Sequence, residues 1–470
     1  MVNAGTPRVV IAAPASGHGK TTVATGLIAA FARRGRKVAP FKVGPDYIDP
    51  GYHALAAGRP GRNLDPFLVG ERRTTGVFGN GSAGADLAIV EGAMGLYDGA
   101  VGRTDFASTA HVARLIGAPV ILVVDAAAQG YSVAALVAGF RDFDRRVNIA
   151  GVVLNRVGSE RHRELLESAL GEVGLPLLGA LHRSDAVATP SRHLGLVPVA
   201  ERAPEALATV DALADLIAAN LDLDRIERIA ESATSVASVP DGMAEAWSPQ
   251  DAIAELGGPV VTPTGRRPVV AVAGGAAFTF SYAEHAELLE AAGAEVAAFD
   301  PLHDPKLPEG TSAVVIGGGF PEVHAAALAE NDSLLAQVRG FAAGGGVIAA
   351  ECAGLLYLAK SLDGVPMCGV LEADAVMTGR LKLGYREAIA AGDSVLCDVG
   401  ERINGHEFHR TTLTPAGSAE PAWFWRGNQG EKVDEGFASS RLHASYLHVH
   451  WAGAPNLPRR IVAAAAGGAV

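Results

Sequence analysis

Residues 9–23 read VVIAAPASGHGKTTV: a β-branched apolar run, a loop of small residues, and Gly19-Lys20-Thr21-Thr22 at the opening of a helix. Few stretches restrict a fold more. Strand, glycine turn and helix in that order start a parallel α/β unit, and the turn has the chemistry of a phosphate-binding loop. Gly17 and Gly19 leave backbone N–H groups uncovered, Lys20 can reach the β and γ phosphates, and the Thr21 hydroxyl, followed by Thr22, can ligate Mg²⁺. The common form G-x-x-x-x-G-K-[ST] would carry glycine where Pro14 stands.

Apolar runs at residues 37–43, 86–90, 119–125 and 149–155 follow, each separated from the next by a helical stretch. That rhythm predicts a parallel, doubly wound sheet, whose ligands collect at the carboxyl ends of its strands. At those ends stand the candidate residues. Lys42, Asp46, Tyr47 and Asp49 follow the second run; Asp46 is preferred to Asp49 for facing a nucleotide and its metal, and both also suit turns. Glu91 closes DLAIV and is the metal-ligand candidate. Asp98 either faces substrate or metal, or forms an ordinary turn with Gly99. Asn155 either reads a base edge or caps a helix.

A chain of 470 residues exceeds one ordinary core, so two domains are expected. Thirty-nine basic residues against 51 acidic ones give a net charge of −12, with no long basic run, which argues against nucleic acid as a partner. No apolar run is long enough for a membrane span, and the five residues before Pro14 are too short for a secretory signal, so a cytoplasmic location is expected. Cys352, Cys368 and Cys397 make neither a disulfide framework nor a C-x-x-C site.

Residues 229–266 lose periodicity and read as a linker; a second α/β pattern begins at residue 267. Within it, Gly317-Gly318-Gly319 leaves backbone donors uncovered. GGVIAAE then runs into Cys352-Ala353-Gly354, a nucleophile elbow in which the cysteine should be exposed and strained, with a helix N-terminus favouring thiolate. Ala350 stands where the usual frame has glycine, and Cys368 and Cys397 have no such setting. His448, following an apparent strand, is the candidate base. LKLGYRE and GHEFHRT read as polar turns, and the spacing of His406 and His409 fits substrate contacts or local structure better than zinc.

Taken together, APASGHGKTT, FKVGPDYIDPGYH, DLAIVEGAMGLYDG, AAECAGLLYL, LKLGYRE, GHEFHRT and ASYLHVH resemble, in this order, the cobyrinic acid or hydrogenobyrinic acid a,c-diamide synthase family of cobalamin biosynthesis. The resemblance implies a P-loop, ATP- and corrinoid-binding domain similar to dethiobiotin synthetase over residues 1–228. It implies a linker over 229–266 and a flavodoxin-like domain similar to class I glutamine amidotransferases over 267–470. By that likeness Cys352 attacks glutamine, His448 serves as base and then acid, and N–H groups around Gly318 and Ala353 hold the oxyanion. ATP bound by Gly17, Gly19, Lys20, Thr21, Thr22, Lys42 and Asn155 would phosphorylate a corrinoid carboxylate. Thr21, Asp46 and Glu91 would handle Mg²⁺, with Asp46, Tyr47 and Asp98 toward substrate. The implied partners are the corrinoid acid, ATP and glutamine, with no membrane or nucleic acid and room for a homodimer. Class I amidotransferases commonly carry His-x-Glu, whereas His450 stands at the third position here; His450, a backbone carbonyl or a distant carboxylate could orient His448, and His450 is expected to be dispensable. Two alternatives accompany this reading. One is a sister amidotransferase of the nickel sirohydrochlorin or cobyric acid synthase type; the other is a nucleotide-switched P-loop ATPase, which would leave Cys352 and His448 without a task.

Overall fold

The strands of the first unit are apolar on both faces, the pattern of a parallel sheet covered by helices on each side. The computed structural model describes residues 5–183, 191–192, 195–196, 199–201, 203–233, 247–262, 265–427 and 430–467, and the chain divides into two units, Met1–Trp247 and Ser248–Val470. In the first, β1 (Arg8–Ala12), β2 (Val38–Val43), β3 (Arg62–Leu64), β4 (Leu87–Glu91), β5 (Val120–Asp125), β6 (Ile149–Val157) and β7 (Leu177–His182) make a seven-stranded sheet ordered β3-β2-β4-β1-β5-β6-β7. Every pairing in it is parallel. The chain winds to one side of β1 through β2, β3 and β4 and to the other through β5, β6 and β7, so a crevice opens at the carboxyl end of β1.

Register then brings the polar ends together. Glu91 pairs with Ile11 on one side and with Lys42 on the other, and Asp125 pairs with Asn155. Helix α1 (Lys20–Arg33) starts from Gly19, whose φ of 97° suits glycine. Gly26 serves packing instead: a Cβ there would lie 2.8 Å from the Leu213 carbonyl oxygen on the helix Ala203–Asn220, so no larger residue fits between the two helices. A two-residue pair, β8 (Ser191–Arg192) and β9 (Gly195–Leu196), is antiparallel.

The stretch 229–266 is more structured than its composition suggests. The helix Leu223–Glu231 reaches into it, and a helix Pro249–Glu255 belongs to the second unit. Ser248 caps the latter by accepting the Asp251 N–H at 3.1 Å, with proline in the first turn, so Ser-Pro-Gln-Asp is a helix start rather than loop composition. Residues 234–246 and 263–264 lie outside the described residues.

The second unit contains β10 (Val269–Ala273), β11 (Glu295–Phe299), β12 (Thr311–Ile316), β13 (Val347–Glu351), β14 (Ser361–Leu362), β15 (Val365–Pro366), β16 (Asp374–Ala390), β17 (Arg402–Thr414), β18 (Trp423–Arg426), β19 (Lys432–Glu435), β20 (Phe437–Ser439) and β21 (Leu442–Ser445). One sheet runs β11-β10-β12-β13-β21-β20, parallel except for the last pair; a mixed sheet runs β15-β14-β16-β18-β19, with β17 on β16. LKLGYRE and GHEFHRT are therefore not turns but facing strands, with Gly384 opposite Glu407 and Tyr385 opposite His406. Alternation explains it: His406 and Phe408 share one face of β17, and Glu407 and His409 share the other.

Candidate active sites

At the P-loop the side chains close on one another. The Lys20 ammonium donates to the Met94 carbonyl at 2.5 Å and to that of Ala15 at 3.2 Å, while the Thr21 hydroxyl donates to Glu91 at 2.6 Å. Lys42, in register with Glu91, lies 2.8 Å from its Oε1 and 2.5 Å from Asp49 Oδ2. His53, on α2 (Asp49–Ala57) and fully buried, brings Nε2 to 2.7 Å from Glu91 Oε2. Burial works against the Glu91 carboxylate, but Lys42 and His53 outweigh it and hold Glu91 below the usual carboxylate range. Asp49 is pushed well above that range by burial and then by the charges of Asp46 and Glu91. Burial also lowers Lys20 to about 8, helped by the charge of Lys42. Three carboxylates, those of Asp46, Asp49 and Glu91, thus gather around the one ammonium group of Lys42.

Asp46 and Asp49 take different places. Asp46 Oδ1 accepts the backbone N–H groups of Ile48 and Asp49 at 2.9 and 3.0 Å, and its other oxygen stays 3.8 Å from Lys42. It shapes the turn, which starts α2 and delivers Asp49 to Lys42 and, at 3.3 Å, to Thr21. His53 was missed by the sequence reading, since only helical spacing from Asp49 (i, i+4) hints that both face the same cluster. Asn155 donates to the His18 carbonyl at 2.9 Å and accepts the Arg156 N–H, and a Cβ on Gly19 would meet its amide nitrogen at 2.3 Å. It braces the loop. The helix-cap alternative fails, because Ser159 caps the next helix, Glu160–Glu172. Asp98 accepts the Gly95 N–H at 2.9 Å and so folds its own loop beside Lys20. Tyr47 is half-buried on the Asp46 turn, and Thr22 lies in the first turn of α1.

In the second unit Cys352 follows β13 and precedes the helix Ala353–Leu358, with φ 49° and ψ −100°, the strained backbone of an elbow. Because β13 pairs in parallel with β21, Glu351 opposite Ser445, the chain leaving β21 returns over the elbow; the Cys352 N–H donates to the Ser445 carbonyl at 2.7 Å. His448 is held there by two backbone hydrogen bonds with His406, both 2.9 Å. Its imidazole is packed against Gly318, where a Cβ would lie 2.4 Å from Cε1. The thiol donates to the Phe408 carbonyl at 3.7 Å.

Three expectations change. Cys352 is buried, not exposed, and burial pushes its thiol up, with the charges of Glu322 and Glu351 adding to the effect and outweighing the Ala353 N–H at the helix start. The resting nucleophile is a thiol. His448 is held well below 6.5 by burial and by His406, His409 and His285, so the pair is neutral. The Gly318 N–H donates to the Phe280 carbonyl at 3.2 Å, so among the expected oxyanion donors it is already engaged, whereas the Ala353 N–H points at the sulfur. Gly319, next in the chain, is required for close approach: a Cβ there would be 2.1 Å from the Ala277 carbonyl oxygen.

His450 turns away from His448. Its Nε2 lies 3.7 Å from Glu284 Oε2 with both residues fully buried, Tyr282 stacks on the ring at 4.1 Å, and Nδ1 accepts the Ala452 N–H. Beside His448 Nδ1 stands instead Glu351, with Oε2 at 3.9 Å. His409 points to Glu407 and to the Thr411 carbonyl and stacks on Tyr446 at 3.7 Å, while His406 stacks toward Phe408, so the two histidines lie on opposite faces of β17. Burial works to raise Glu407, but His409 and Arg386, whose Nε is 2.6 Å away, outweigh it and keep its carboxylate low.

Two family models match the chain: a CobQ/CobB/MinD/ParA nucleotide binding domain over residues 9–197 and a CobB/CobQ-like glutamine amidotransferase domain over residues 269–456. The chain is 54% identical to the hydrogenobyrinate a,c-diamide synthase of Streptomyces coelicolor, over 97% of each protein. It is 53% identical to the protein of that name from Thermobifida fusca, over 97% of this chain and 96% of that one. Identity to the cobyrinate a,c-diamide synthase of Synechococcus sp. is 41%, over 95% of this chain and 96% of that one.

Proposed function

From a chain that belongs to the a,c-diamide synthase family of glutamine amidotransferases, we propose an ATP- and glutamine-dependent amidation of the a and c carboxylates of hydrogenobyrinic acid. The metal-free substrate is preferred because identity is 53–54% to proteins named for hydrogenobyrinate and 41% to the Synechococcus protein named for cobyrinate. The observation that carries the reading is the presence in one chain of a strained, buried Cys352 at the end of a strand whose partner strand leads into the buried His448, and of a P-loop where Lys42 and Thr21 converge on the buried Glu91.

In the second unit, Cys352 Sγ bonds to the δ-carbonyl carbon of glutamine as its proton passes to His448. The oxyanion is held by N–H groups at the elbow, Ala353 among them. His448 returns the proton to the departing nitrogen, the C–N bond breaks, and ammonia leaves; water then cleaves the thioester to glutamate and restores the thiol. A neutral pair suits this order, since neither group has to hold charge in a buried pocket before glutamine arrives.

In the first unit, a corrinoid carboxylate oxygen bonds to the γ phosphorus of ATP and the bond to ADP breaks, giving an acyl phosphate. Ammonia attacks its carbonyl carbon, phosphate leaves, and one proton is released as the amide forms. Lys20 and Lys42 offset phosphate charge. Thr21, Glu91 and Asp49 are the residues that would hold Mg²⁺, with Asp46 shaping the turn. Their fit rests on oxygen donors only and on an Asp49 that must share the Lys42 ammonium with Glu91. When bound, the ion would neutralise charge on the β and γ phosphates.

The test is mass spectrometry after incubation with Mg-ATP, glutamine and hydrogenobyrinic or cobyrinic acid. Two hydroxyl-to-amino mass changes on one substrate are expected, with hydrogenobyrinic acid preferred. Glutamine hydrolysis with neither acid amidated would overturn the substrate assignment.

A further inference from the structure

We infer that Glu351, the residue before the nucleophile, is the positioning carboxylate for the His448 imidazole, an inference that rests on the amidotransferase reading above. Glu351 ends β13, and the pairing of β13 with β21 carries residues 446–450 back across it. Its carboxylate feels the backbone N–H of Val449 and stands 3.9 Å from His448 Nδ1. Neither partner is free to wander. His448 is bonded through its backbone to His406 in both directions, and the Cε1 side of its ring lies against Gly318.

A carboxylate on the Nδ1 side favours the tautomer with the proton on Nδ1, which leaves the Nε2 lone pair for the cysteine proton. When Nε2 takes that proton, an imidazolium forms in a pocket where burial and three further histidines, His406, His409 and His285, oppose it. Glu351 supplies the compensating charge. A separation of 3.9 Å is too long for a hydrogen bond, and closing by about 1 Å as glutamine binds would make one. His450 has partners of its own in Glu284, Tyr282 and Ala452.

Burial raises Glu351 to about 8, against the pull of the Val449 N–H. The other charged groups bearing on the dyad are Glu322 and Glu435 near Cys352 and the three histidines near His448. The ionised, positioning form of Glu351 therefore grows as pH rises toward and past 8.

The experiment uses the full chain with Glu351→Gln and Glu351→Asp, measuring glutaminase kcat and KM from pH 6.5 to 9.5 and amidation driven by ammonium chloride in place of glutamine. Gln keeps the volume and an acceptor for Val449, so a packing role would spare Gln and penalise Asp. The expected order is the reverse. Gln should lose about 100-fold in kcat with little change in KM, and Asp should lose less. The rise of kcat/KM through about pH 8 should be present in the unaltered protein and absent in Gln. Ammonium-driven amidation should be unchanged in both. A Gln variant within about threefold of the unaltered protein, or more active than Asp, overturns the positioning role. An unaltered protein that releases no glutamate from glutamine overturns the amidotransferase reading instead.

Discussion

Adding one methyl group at Gly318 should disable glutamine hydrolysis while leaving ammonium-driven amidation intact. A Cβ there would sit 2.4 Å from His448 Cε1, 3.2 Å from Nδ1 and 3.0 Å from the Phe280 Cβ. Ordinary contact begins at 3.4 Å, so in Gly318→Ala the imidazole must retreat by about 1 Å, a displacement that can cost about 100-fold in rate when it falls on a catalytic group. Neither backbone yields easily. Gly318 exchanges hydrogen bonds of 3.0 and 3.2 Å with Phe280, and His448 exchanges two of 2.9 Å with His406, so rotation of the ring away from Cys352 and Glu351 is the cheaper response. Overpacking of this kind also costs about 1–3 kcal/mol of stability. The assay is glutamate release at saturating glutamine, run beside amidation from ammonium chloride and a thermal melt. Glutaminase activity in Gly318→Ala above about a third of the original, with the fold intact, would refute the assignment of His448, in this position, as the base.

Cys352→Ala should abolish glutaminase activity and spare ammonium-driven amidation, whereas His450→Ala should lose stability by about 1–3 kcal/mol through its place between Tyr282 and Glu284 and keep measurable hydrolysis; thermal melts and glutamate release separate the two. His53→Ala should depress ammonium-driven amidation by about tenfold or more, because Glu91 loses the imidazole at 2.7 Å that helps keep it ionised, and leave glutaminase activity alone; equal turnover with and without His53 would rule out its part in the P-loop cluster. Acid should destabilise the second unit between pH 6.5 and 5. His285, His406, His443 and His448 have depressed values in the folded state, so their contribution is present above 6.5 and is lost as pH falls. Glu351 and Glu435, raised to about 8 and about 7, push the other way, but four groups outweigh two; a melting temperature that climbs on going from pH 6.5 to 5 would contradict the burial of these histidines.

The sequence by itself determined what is local. A strand running into Gly17, Gly19, Lys20 and Thr21 carries its phosphate chemistry in consecutive residues, and Cys352 between Glu351 and Ala353 carries its elbow in the same way, because backbone N–H groups and a helix start need no distant partner. The alternation of apolar runs and helices likewise implied a parallel sheet with Glu91 and Lys42 at its ligand end. Tertiary structure decided which of several nearby groups act together. Asp46 and Asp49 are interchangeable on paper until the turn before α2 binds one to its own backbone N–H groups and brings the other to Lys42. LKLGYRE and GHEFHRT became strands only by pairing with each other, since an alternation of charges and aromatics has no meaning without a partner edge. What orients His448 was open for the same reason: His450 is two residues away along the chain, but Glu351, nearly a hundred residues earlier, is brought to Nδ1 by the register of β13 on β21. Burial, too, belongs to the fold alone, and it is burial that makes Cys352 a resting thiol where its helix terminus, taken in isolation, favours a thiolate.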